Sequence, residues 1–126
     1  MTRRRLVDHV TLNTRSSSAI APFYEAALRA LDVPTHVDEH GRLSFGDVGQ
    51  RDFGIYEHGT EFFERSHTAF VARSQEEVRA FHQAAIEHGG RSLDGPRTRP
   101  EFGGLYSAYV EDPEGNVVEV IFDPAD

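Results

Sequence analysis

The chain has 126 residues with 13 basic and 21 acidic side chains, a formal net charge of −8 with histidine neutral. That balance argues against nucleic acid as a partner, because phosphate binding needs a basic face. Apolar residues at 38% and charged residues at 27% describe a chain that folds around a core, and no run approaches the ~18 apolar residues of a membrane span. The absence of cysteine excludes disulfides and thiolate metal sites. Arg3-Arg4-Arg5 is like the charged head of a signal peptide, but Asp8 and His9 follow in place of an apolar stretch, so a cytoplasmic location is expected.

"DHVTLNT" (Asp8 to Thr14) reads as the first strand. A helix follows, in which Ile20, Phe23, Tyr24, Ala27, Leu28 and Leu31 recur on one face, with Ser17 or Ser18 as N-cap and Pro34 beyond its end. "PTHVD", "GRLSFG" and "RDFGIYE" then read as three strands separated by turn residues. After the short join "HGTEFFERS" (His58 to Ser66) the order repeats. "SHTAFVA" is a strand. The next helix opens on a Ser74–Glu77 capping box, carries Val78, Phe81, His82 and Ala85 inward, and stops at Gly89-Gly90. "GRSLDG", "GLYSAYVED" and "NVVEVIFD" complete it.

The repetition extends to residues. His9 and His67 are 58 apart, as are the phenylalanines opening "FYEAALRAL" and "FHQAAIEHG". The expected fold class is α+β: two βαβββ modules in tandem, module 1 over about 5–59 and module 2 over about 64–124, in one domain spanning 1–126. Their sheets would form a curved mixed sheet around a cavity.

Strand parity then decides which side chains meet. If Val10 and Leu12, Phe70, and Val118, Val120 and Phe122 face the helices, then His9, His67 and Glu119 share the opposite face. Glu119 lies within "NVVEVIF", where an ionised carboxylate needs a partner and no Arg or Lys occurs on the strand. Two imidazoles and one carboxylate suit a divalent transition metal: zinc, iron, manganese, nickel or cobalt. His36, His40, His58 and His88 fall at turns or helix ends, where solvent is the expected partner.

With these features the chain resembles the vicinal-oxygen-chelate superfamily, which includes glyoxalase I, extradiol dioxygenases, fosfomycin-resistance enzymes and bleomycin-resistance proteins. "YVEDPEGNVVEV" carries the resemblance most strongly, and "FYEAAL" and "FHQAAIEHGG" are similar to that group's helices. The resemblance implies His9, His67 and Glu119 as metal ligands. It also implies Tyr109, ten residues before Glu119, as a residue that orients or protonates substrate. A fourth ligand or general base would come from the fourth strand. Aligning that strand by its apolar side puts Gly54 opposite Glu119, whereas a one-residue slip would bring Glu57 inward. Tyr56 and Ser107 would line the pocket. Arg97 and Arg99, in the loop "GPRTRPEFGG", would clamp an anionic substrate.

The resemblance implies a small metal-dependent enzyme, lyase- or isomerase-like, holding a small-molecule substrate by vicinal oxygens. The alternative is a metal-free binding protein of the bleomycin-resistance type. A homodimer is implied, with His9 from one subunit and His67 and Glu119 from the other as one arrangement; no membrane partner is expected.

Overall fold

A computed structural model describes residues 7–57 and 64–125. The expected element order is found twice: β1 (Val10–Thr14), α1 (Ser17–Arg29), β2 (Thr35–Val37), β3 (Leu43–Phe45) and β4 (Phe53–Glu57), then β5 (His67–Val71), α2 (Gln75–Glu87), β6 (Arg91–Arg99), β7 (Leu105–Glu111) and β8 (Val117–Phe122). Each set forms its own four-stranded mixed sheet, in the orders β1-β4-β3-β2 and β5-β8-β7-β6. In each, the first strand pairs parallel with the last and the remaining pairs are antiparallel. The two sheets do not close on each other, so β1 and β5 are edge strands. Among the described residues no helix is long and apolar enough to cross a membrane.

The helices form where the apolar spacing demands. Ile20, Phe23, Tyr24, Ala27 and Leu28 are the buried stripe of α1, and Val78, Phe81 and Ala85 that of α2. The capping box of α2 is present, with Ser74 Oγ accepting from the Glu77 N–H at 3.1 Å. Glu77 returns the bond to the N–H of Arg73 at 2.7 Å. For α1 the N-cap is Ser16, one residue earlier than expected, and its own hydroxyl makes no capping bond. The Glu57 carboxylate caps the helix instead, accepting from the N–H of Ser17 at 2.8 Å and from its hydroxyl at 3.3 Å.

The helix-facing sides of both sheets meet in one core. The Phe53 ring on β4 lies 5.3 Å from Tyr24 of α1 and makes an edge contact at 5.1 Å with Phe70 of β5. Phe70 in turn packs on Phe81 of α2. Gly90 lets α1 come close to the end of α2, since a Cβ there would stand 2.5 Å from the Phe23 ring and 2.9 Å from the Glu111 carbonyl.

The Asp112-Pro-Glu-Gly-Asn116 turn ties the two halves together. Asp112 is 4% exposed; one carboxylate oxygen accepts from the N–H groups of Glu114 and Asn116, both at 2.9 Å. The other accepts from the Tyr24 hydroxyl at 2.6 Å and from Asn116 Nδ2 at 2.7 Å. Glu114 accepts from the Thr14 hydroxyl and from the backbone and Nε of Arg15. Gly115 takes the φ of +85° that the turn requires.

Candidate functional site

Glu119 sits in the middle of β8 on the face turned away from the helices, and only 8% of it is exposed. A histidine bonds it and a tyrosine stands across from it. His67, at the start of β5, donates from Nε2 to Glu119 Oε1 at 3.0 Å. Tyr109 stands directly opposite Glu119 on β7, its ring 6.4 Å from that of His67. Burial first, then the facing Glu119 carboxylate, push the Tyr109 phenol above its ordinary pKa, while the Arg99 charge works against them. The His67 side chain is 58% exposed, so the pair opens to one side of the sheet.

The first sheet carries the matching half. His9 immediately precedes β1, and its Nδ1 lies 2.8 Å from Asp8 Oδ1. Register places Thr11 opposite Gly54 just as Ala69 stands opposite Glu119. Gly54 therefore holds the position that Glu119 holds in the second sheet. A cavity of about 510 Å³ lies on this face, lined by His9, Thr11, Arg42, Gln50, Gly54 and Tyr56 among others. The Arg42 guanidinium stacks 5.1 Å from the centroid of the Tyr56 ring.

The structure brings together His67, Glu119 and Tyr109. It does not bring His9 to them: among the described residues, no three His, Asp or Glu side chains come close enough to share a metal ion. The physical reason is the shared core. With the helix-facing sides of both sheets packed together, the opposite faces of the two modules do not enclose one cavity within the chain.

Three further expectations are corrected. Glu57 points to the helix side of its strand and caps α1, so it stands apart from the outer face. Arg97 and Arg99 belong to β6 rather than a loop, because Gly95-Pro96 sits at a register shift that leaves the strand running. Exposed Arg97 pairs with Glu101 at 3.0 Å; Arg99 is 1% exposed and not available to clamp a substrate. Ser107 is on the face of Tyr109 as expected, but it is buried and its Oγ accepts from Arg99 Nε at 3.0 Å. Asp94, which accepts from the guanidiniums of both Arg99 and Arg97, has no sequence signature of that role, since "LDGP" carries only a turn signal.

The donor chemistry fits a divalent cation in part. An imidazole nitrogen and a carboxylate oxygen bound to one tetrahedral ion at about 2.0–2.1 Å stand ~3.3 Å apart. The His67–Glu119 pair at 3.0 Å needs only a small movement to admit one. A nearly buried carboxylate facing a neutral phenol and an imidazole is also a place where a cation would compensate charge.

A model of the Glyoxalase/Bleomycin resistance protein/Dioxygenase superfamily matches residues 6–120. Among solved structures, the chain is similar to a glyoxalase/bleomycin resistance protein from Albidiferax ferrireducens T118, with TM-score 0.74 and 26% identity over 92% of this chain and 98% of that one. It is similar in fold to a glyoxalase-related enzyme from Fulvimarina pelagi, with TM-score 0.70 and 20% identity over 96% and 90%. A lactoylglutathione lyase from Agrobacterium tumefaciens aligns with TM-score 0.68 and 19% identity over 96% of each chain. No curated protein matches the chain.

Proposed function

The chain belongs to the Glyoxalase/Bleomycin resistance protein/Dioxygenase superfamily, and from that premise we propose that it is a small metal-dependent enzyme, lyase- or isomerase-like, acting on a small substrate with two adjacent oxygens. The observation that carries this reading is the His67–Glu119 pair, 3.0 Å apart and open on one side, with Tyr109 opposite the same carboxylate on the neighbouring strand. His67 and Glu119 would hold the ion, together with a His9 supplied by a second copy of the chain. When bound, a divalent ion supplies Lewis-acid polarisation to the substrate oxygens.

The residues of the chain do the rest. Tyr109, opposite Glu119 and raised above its ordinary pKa by burial first, presents a phenol on the outer face where it can orient a substrate oxygen or give it a proton. Tyr56 and Arg42, stacked beside His9 on the first sheet, would form the facing wall. The edge strands β1 and β5 and the exposed Val71, on the face of His67, support a homodimer in which the two outer faces meet.

Mixing two inactive variants tests the shared site. His9→Ala and Glu119→Gln each lose a ligand, so neither alone retains stoichiometric metal. In a mixed dimer one of the two sites regains all three ligands. On this reading the mixture recovers about a quarter of wild-type metal after subunit exchange. No recovery, with both variants folded and exchanging, contradicts it. Full metal in either variant alone does so as well.

A further inference from the structure

Arg99 is the largest fully buried side chain among the described residues, and arginine is almost never fully buried without a specific reason. Four hydrogen bonds hold its guanidinium. Nε donates to Ser107 Oγ at 3.0 Å, Nη2 to the Ser107 carbonyl at 2.9 Å and to the Gly95 carbonyl at 3.2 Å, and Nη1 to Asp94 Oδ2. The guanidinium carbon lies 5.2 Å from the centroid of the Tyr109 ring. Strand β6 shifts register twice, between Ser92 and Asp94 and between Asp94 and Arg97. These shifts set Asp94 opposite Tyr109 and carry the Gly95 carbonyl to the guanidinium. The irregular strand is thus built around one side chain.

The row across the sheet runs Asp94, Tyr109, Glu119, Ala69. Within it Tyr109 lies between the Arg99 cation on one side and the Glu119–His67 pair on the other. We infer that Arg99 is a positioning residue for Tyr109, holding the ring in its place beside Glu119 on the outer face, and that it makes no contact with substrate. The inference rests on the proposed function for the purpose of the phenol, but not for its placement. Lysine cannot replace Arg99 here, because an ammonium has neither the planar face that stacks on the ring nor the fork that reaches Ser107, Gly95 and Asp94 together. Reacting groups held in one geometry are what a site gains from such a device.

Fluorine NMR of protein labelled with 3-fluorotyrosine tests this, because the chain has only four tyrosines, Tyr24, Tyr56, Tyr106 and Tyr109. A Tyr109→Phe variant identifies the Tyr109 line. In Arg99→Lys that line is expected to move toward the free amino acid, while the lines of Tyr24, Tyr56 and Tyr106 stay in place. Ser107→Ala removes one acceptor and leaves the arginine, so it should move the Tyr109 line the same way by less; it also serves if Arg99→Lys fails to fold. An unmoved Tyr109 line in a folded variant overturns the inference. So does a joint shift of all four lines, which marks a purely structural arginine. The spectra need no metal or substrate, so metal titration of the same samples separates the two readings: wild type that binds no ion sinks the proposed function while leaving the ring placement to be judged on its own.

Discussion

The Tyr24–Asp112 hydrogen bond joins α1 to the turn before β8, and breaking it tests whether that turn is the clasp between the two halves. Tyr24→Phe keeps the ring, and with it the contacts to Phe23 and Phe53 at 4.8 and 5.3 Å, while deleting one bond to a carboxylate. Hydrogen bonds to charged groups contribute about 1.5–3 kcal/mol, and that is the expected loss. Asp112→Ala costs more, because it leaves three donors of buried residues, the Tyr24 hydroxyl, Asn116 Nδ2 and the Asn116 N–H, without their acceptor. At about 1–3 kcal/mol for each, the loss is about 3–9 kcal/mol. The double variant should fall short of the sum by about 1.5 kcal/mol or more, the coupling across the clasp. Urea unfolding at one fixed protein concentration measures all four corners of the cycle, with an unchanged slope confirming that stability alone has moved. Additivity within about 0.5 kcal/mol would refute the reasoning. An alkaline signature accompanies it. Burial first, then the Asp112 charge and hydrogen bond, push the Tyr24 phenol far above its ordinary 10.0. The folded chain therefore keeps a proton that the unfolded chain releases, and stability falls as pH rises past about 10. Tyr24→Phe should remove that part of the slope.

Glu57→Ala should cost about 1 kcal/mol in unfolding free energy through loss of the α1 cap, with metal content unchanged by elemental analysis; reduced metal content would return Glu57 to the site. Burial pulls His82 below its ordinary 6.5, so the unfolded chain takes up a proton that the folded chain resists. The stability from this neutral imidazole is present above about pH 6.5 and declines as pH falls below it, and urea midpoints for His82→Gln should show a flatter slope over that window.

The fold is legible because the chain states it twice. Phenylalanines 23 and 81 and histidines 9 and 67 recur at one offset, and their helical and alternating patterns agree with the elements that form. Parity puts His67 and Glu119 on one face, where they meet at 3.0 Å. Parity on single strands carries no information on how two sheets are disposed, and this is why His9 is expected beside them and does not lie there. The asymmetry between Gly54 and Glu119 is readable from apolar alignment alone, and the register bears it out. Arg99 departs from expectation for a local reason. Gly95-Pro96 signals a turn, yet at a bulge on edge strand β6 the same dipeptide serves the strand and presents a carbonyl to the buried guanidinium. The Asp112 turn is recognisable in the sequence, but its role as a clasp is not, since hydrogen bonds to Tyr24, 88 residues away in the chain, leave no local signature.

Calorimetric titration of the metal-stripped protein with zinc, run beside Glu119→Gln, addresses the central claim most directly. One ion per chain is expected for the wild type, with affinity at least roughly tenfold weaker in Glu119→Gln, because the carboxylate that the ion compensates has been neutralised. Equal binding by the two proteins, or no binding by the folded wild type, would contradict the assignment of His67 and Glu119 as a cation site.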